Sequence, residues 1–242
     1  MGAFAGQLRT ELRLGSRQGE QLLVSLGIPL LVLVFFSSVD VLPTGTAEPI
    51  DYLAPSVLAL AVMSTAMVSL GIGTGFERNY GVLKRLGASP LGWGRWVGAK
   101  ITTVLITEAL QWSVLIGVAV LLGWSPPASG WLPAIVGGLL GTAAFGGLGL
   151  LMAGTLPGLA TLAGANGLYL VLLLTGGMIV PLDKLPAPVA TVARALPAAP
   201  LTEVITGSLI AGRAIDSWAW PVLGVWAVGV PLAAAAFFRW ES

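Results

Sequence analysis

The chain has no cysteine and no histidine among its 242 residues. Disulfides, thiolate nucleophiles and imidazole metal ligands or bases are therefore closed to it. A Ser-His dyad goes with them, and the acids Asp40, Glu48, Asp51, Asp183 and Asp216 have no spacing that makes an aspartyl pair. Charge is scarce as well: charged residues are 10% and hydrophobic residues 56% of the chain, where a soluble domain carries about 25% charged. With a mean hydropathy of +0.90 it reads as an integral membrane protein. No G-x-x-x-x-G-K-[ST] pattern occurs. Gly71 to Gly75 leads into Phe76-Glu77-Arg78, so no P-loop and no bound ATP are expected of this chain.

What is present is a series of apolar runs, at about 22–39, 52–74, 96–122, 131–156, 162–180 and 218–238. The first covers roughly 27 Å as a helix, enough for the hydrocarbon core, and Pro29 should kink it. Ahead of it, Phe4, Leu8 and Leu12 recur at spacing four, with Arg9, Arg13 and Arg17 one position on. That pattern predicts an interfacial helix over 4–20 rather than a cleaved signal peptide. Glycines pack the runs: Gly71 and Gly75 form a GxxxG pair, and Gly138, Thr142 and Gly146 put small residues on one face. The third run holds the one acid deep in an apolar segment, Glu108, with Gln111 and Trp112 on the same face. An intramembrane carboxylate costs a few kcal/mol and faces a wet path, a partner or another helix. Lining the translocation path and a hydrogen bond to Gln111 or a neighbouring helix are both open to Glu108.

Between the second and third runs lies a polar stretch, 76–90, with Arg78, Lys84 and Arg85, continuing to Arg95 and Lys100. Its positive excess predicts the cytoplasmic side. Val82, Leu83 and Leu86 form an apolar stripe on a short amphipathic helix that Ser89-Pro90 breaks. The order Glu77-Arg78, Gly81, Leu83, Leu86, Pro90 and Gly98-Ala99-Lys100 resembles the first cytoplasmic loop of ABC-2 type permeases, the membrane subunits of ABC exporters related to daunorubicin-resistance permeases. The resemblance implies that Glu77, Arg78, Gly81, Leu83, Lys84, Arg85 and Leu86 belong to a coupling helix that docks on a separate ATPase subunit.

The segment 181–217 carries Pro181, Pro186, Pro188, Pro197 and Pro200, too many for one spanning helix. Two short helices broken at prolines and dipping into the outer leaflet are expected. The order Gly176-Gly177, Pro181, Leu185-Pro186, Leu196-Pro197 and Pro200-Leu201-Thr202 resembles the re-entrant hairpin of the same family, with Pro181, Pro186, Pro197 and Pro200 as its breaks. Glu203 departs from that pattern, since relatives often carry an aromatic there.

The expected architecture is an all-α membrane domain over 1–242, with six transmembrane helices, an interfacial helix, a coupling helix and a re-entrant hairpin. Nine basic residues fall on the side of the leader and the 76–100 stretch, and three, Lys184, Arg194 and Arg213, on the other. Both termini are therefore expected in the cytoplasm, in a bacterial cell membrane. The resemblance implies two ATPase subunits holding ATP and Mg, a second permease copy or close paralogue, no cofactor on this chain and no nucleic acid. It also implies export of a hydrophobic or amphipathic molecule, without deciding between drug, lipid, glycan intermediate and haem. An ATP-independent carrier or channel is the alternative.

Overall fold

The computed structural model describes residues 3–17, 19–38, 48–87 and 92–239, and every regular element among them is helical. α1 (Ala3–Arg17) precedes α2 (Gly19–Ser38), which contains Pro29. α3 (Pro49–Met63), a π-helical stretch (Ser64–Ser69) and α4 (Leu70–Asn79) form one unbroken helix of 31 residues. The short α5 (Val82–Gly87) leads to α6 (Gly92–Leu121), α7 (Trp131–Thr155) and α8 (Gly158–Thr175). Two short helices follow, α9 (Ala187–Ala195) and α10 (Ala198–Leu209), and then α11 (Ala219–Phe237). Among the described residues five helices are long and apolar enough to cross a membrane, and α2 contributes a shorter apolar stretch, Leu26–Ser38. Asp40 and most of the loop after the first run, and Ala88, Ser89 and Pro90, lie outside the described residues.

Several expected boundaries shift, the fifth run among them, since α8 covers Gly158–Thr175 and not 162–180. The second run does not stop at Thr74, because Phe76, Glu77 and Arg78 are part of α4, whose helix continues past the last apolar residue. Polarity marks where a helix leaves hydrocarbon, whereas its end is set by backbone conformation. Here Gly81 supplies that end, with φ +71 and its N–H donating to the Arg78 carbonyl at 3.0 Å. The amphipathic helix is accordingly α5 alone, and Glu77 and Arg78 stand outside it. The proline-rich segment does form two short helices, after Pro186 and after Pro197. α10, though, is buried over its whole length, so the second helix is part of the core and the first, α9, is the one at the surface.

The long α3–α4 helix is the axis of the bundle: its most apolar window is 89% buried, against 22% for α11 at the periphery. α7 is the second hub, packed on α4, α10 and α11. Glycine lets three helices reach its backbone. A Cβ on Gly71 would lie 2.9 Å from the Gly149 Cα, one on Gly141 would meet Leu201 of α10 at 2.7 Å, and one on Gly147 would meet Pro231 of α11 at 2.7 Å. The face with Gly138, Thr142 and Gly146 meets α6 through Trp112, Glu108 and Ile101. Such close contact is the usual source of helix association where lipid removes the hydrophobic drive.

Gly149→Val should therefore lower the thermal unfolding midpoint of the detergent-solubilised chain by several degrees, since overpacking costs about 1–3 kcal/mol. Gly167→Ala, at a helical position with open space around it, should leave the midpoint nearly unchanged. Equal midpoints for the two variants would contradict this packing.

Candidate functional site

The end of the bundle where α4 stops gathers most of the expected coupling residues, in two different roles. Leu83 of α5 is fully buried and Leu86 half-buried, so the expected stripe anchors α5 to the bundle. Lys84 and Arg85 point outward, together with Val82 and Tyr80, the tyrosine at 72% exposure. Val82 is thus on the outer surface rather than in the buried stripe. Lys84, Arg85 and Val82 thus lie on the outward side of α5, with Tyr80 just ahead of it.

Arg78 faces the other way. Its side chain is buried and Nη1 donates to the carbonyls of Ala153 and Leu156, both at 3.0 Å. Those are carbonyls at the C-terminus of α7, where a helix leaves acceptors unpaired and a cation is favourable. Arg78 therefore closes α7 and does not belong to the surface of α5.

Glu77 is tied inward as well. Its Oε1 accepts from Lys100 Nζ at 2.5 Å, and the same ammonium donates to Glu11 Oε2 at 2.9 Å. Lys100 is buried, Glu11 also, and Gln7 Nε2 donates to the other Glu11 oxygen at 2.7 Å. One cation thus clasps α1, α4 and α6. Sequence reading picked out Glu77 and Lys100 but missed Glu11, which is separated from Lys100 by 89 positions and sits in a helix read for its arginines and leucines. Its one local signal is that it is the sole acid between Arg9 and Arg17. Phe4 of α1 lies over Gly98, where an added Cβ would meet its ring at 3.5 Å.

In mid-bundle, Glu108, Gln111 and Trp112 share a face, as their spacing requires, and each reaches a different neighbour. The Thr142 hydroxyl of α7 donates to Glu108 Oε2 at 2.6 Å, the Thr65 hydroxyl donates to Gln111 Oε1 at 2.7 Å, and Trp112 Nε1 donates to the Leu58 carbonyl at 3.2 Å. Glu108 and Gln111 do not bond to each other in this set. Both are buried, and Glu108 Oε1 has no hydrogen-bond partner among the described residues.

The opposite end holds a second polar site, a cavity of about 310 Å³. Its floor is Tyr52, near the start of α3, whose hydroxyl donates to the Gly177 carbonyl. Gly177 has φ +78, a conformation that turns the chain after α8. Pro181 borders the cavity and is buried, as are Pro197 and Pro200 around α10, while Pro186 is exposed ahead of α9. Glu203, the departure noted in the sequence, is buried in the wall. Its Oε2 accepts from Arg213 Nη2 at 2.5 Å and its Oε1 from the Asp216 N–H at 3.3 Å. Burial pushes its carboxyl above the usual range, and the Arg213 charge pulls it part of the way back.

Among the described residues no group of three or more His, Cys, Asp or Glu is placed to hold a metal ion. A helical bundle of membrane-length spans, with a short basic helix at one end, defines a polytopic membrane protein. The chain matches the ABC-2 type transporter family over residues 7–210, most of its length, and belongs to that family. It is therefore the membrane permease component of an ABC transporter, and permeases of this family normally work with an ABC ATPase. No curated protein gives a significant match.

The geometry separates structural cations from surface ones. Arg78→Met should cost about 2 kcal/mol or more, because it strips a charged donor from the buried Ala153 carbonyl and the partly buried Leu156 carbonyl. Lys84→Ala and Arg85→Ala, on the outer side of α5, should leave the unfolding midpoint within about 0.5 kcal/mol of the parent. A midpoint in Arg78→Met equal to those of the surface variants would contradict the role given to Arg78.

Proposed function

We propose that this chain is the permease subunit of an ATP-driven exporter, moving a hydrophobic or amphipathic small molecule, drug or lipid-like, out of the cytoplasm or the inner leaflet. ATP and Mg are bound by separate nucleotide-binding subunits, two per complex, and a second permease copy or close paralogue completes the path. The observation that carries this reading is α5: Leu83 and Leu86 seat it on the bundle, so Tyr80, Val82, Lys84 and Arg85 are offered to a partner. The charge distribution supports the orientation. Arg9, Arg13, Lys84, Arg85, Arg95 and Arg239 lie toward the α5 end in chain order, which favours a cytoplasmic α5 and both termini inside.

In this mechanism, closure of the ATPase subunits on ATP pushes α5, and the bundle changes between inward and outward states. Work is transmitted only because the two states differ in affinity for the ATP-bound partner. Glu77 and Arg78 contribute by holding the base of α5, through Lys100 and through the end of α7. Glu108 and Gln111 serve in this reading as packing groups that fix α6 against its neighbours, in accord with their bonds to Thr142 and Thr65.

Affinity purification of the tagged chain from its native membrane should bring down a P-loop ATPase in stoichiometric amount, with ATP hydrolysis in the eluate. The Lys84→Glu/Arg85→Glu double variant should insert normally and recover roughly tenfold less ATPase, as reversal of two interfacial charges costs on the order of 1.4 kcal/mol or more. Elution of the parent chain alone, without hydrolysis, in detergents that preserve membrane complexes, would overturn the exporter reading in favour of an ATP-independent carrier.

A further inference from the structure

The cavity at the end opposite α5 has an unusual lining for its size. It is bordered by two guanidinium groups and three carboxylates, around the aromatic side chains of Tyr52 and Trp218. Glu203 and Arg213 neutralise each other in the wall. On the Trp218 indole one charge of each sign remains to meet a ligand. The Arg194 guanidinium lies over the Trp218 ring, 5.9 Å from its centroid, and Asp216 Oδ2 accepts the Trp218 Nε1–H at 3.1 Å. Asp183 adds a second carboxylate, 72% exposed and only 3.7 Å from its neighbour Lys184. A purely anionic ligand would meet these acids, and a purely cationic one would meet Arg194.

A zwitterion avoids both conflicts. Arg194 lies over the face of the Trp218 ring and Asp216 at its N–H edge, so opposite charges flank one indole. A guanidinium suits a phosphate through its fork of donors, and a carboxylate suits an ammonium. Size points the same way: at about 310 Å³ the cavity is at the lower end of the range for ligand pockets, roughly 300–1,000 Å³, with room for a headgroup and little more.

We propose that this cavity binds the zwitterionic headgroup of a phospholipid, phosphate on Arg194 and ammonium on Asp216 and Asp183, with the acyl chains left outside it. Its role as the substrate's outer contact rests on the exporter reading. The binding needs no ATP and is measured without the ATPase partner, so failure of the one is told apart from failure of the other.

The test is titration of the full chain in maltoside micelles with dihexanoylphosphatidylethanolamine, dihexanoylphosphatidylglycerol, dodecyltrimethylammonium and soluble phosphoethanolamine. The ethanolamine lipid should bind saturably and at least about tenfold tighter than either singly charged probe. Arg194→Gln and Asp216→Asn, both at exposed positions, should each weaken that binding by about tenfold while leaving the unfolding midpoint in place. Arg194→Gln should abolish the preference for the ethanolamine lipid over the alkylammonium, and Asp216→Asn its preference over the glycerol lipid. Equal affinity for the glycerol lipid in the parent chain, or unchanged binding in both variants, would overturn the proposal. Equal affinity for soluble phosphoethanolamine would overturn the assignment to a lipid.

Discussion

A buried ammonium between two carboxylates holds one end of this molecule together. Lys100 would be costly where it is, by several kcal/mol, if Glu11 and Glu77 did not receive it. Because those two acids come from α1 and α4, α1 and the long axial helix are fixed relative to α6 by a single side chain. α5 starts directly beyond Glu77 and the Gly81 turn, so its attitude on the bundle depends on the same contact. Glu77 Oε2 has no hydrogen-bond partner among the described residues, which leaves the clasp with an acceptor to spare at the foot of α5.

The axial helix joins this clasp to the polar cavity at the far end. Tyr52 near its start holds the turn at Gly177, and Glu77 near its finish holds Lys100. Between them the π-helical stretch brings the Met67 carbonyl against Gly149 of α7, where an added Cβ would come within 2.7 Å of it. A rod this fully enclosed transmits displacement better than it bends, since packed cores shift between discrete arrangements. The layer formed by Thr65, Gln111, Glu108 and Thr142 keeps α6 in register with both hubs. Hydroxyls within α10 are satisfied locally, Thr202, Thr206 and Ser208 each donating to the carbonyl four residues earlier, so a polar helix is tolerated in the core.

The order of the helices was legible from hydropathy, because a helix in lipid must satisfy its backbone internally and so announces itself by length; of the six runs expected to span, five are membrane-length apolar helices among the described residues, and the first is apolar there only over Leu26–Ser38. The short α5 and the paired helices α9 and α10 were legible from their prolines and from the Leu83 and Leu86 spacing. Contacts between distant positions were not. Nothing local in Arg78 distinguishes a cap for α7 from a docking cation, and Glu11 looks like one acid in a basic helix until α1 is laid on α6. The burial of α10 was equally hidden, since Ala, Thr, Val and Ile suit a lipid-facing helix and a core helix alike. Glu203 was visible as a departure, but its partner Arg213 became evident only when the chain turned back.

The most direct test of the clasp is a charge-reversal cycle on Glu77 and Lys100, read by unfolding midpoint and by the amount of ATPase recovered with the tagged chain. Glu77→Lys places two ammonium groups together and Lys100→Glu three carboxylates, so each single reversal should lower both readings. The double reversal, Glu77→Lys with Lys100→Glu, should restore most of the midpoint and of the recovered ATPase, giving a coupling energy of about 1–3 kcal/mol. Losses in the double variant that merely add those of the singles would contradict the claim that this ion pair fixes α5 on the bundle.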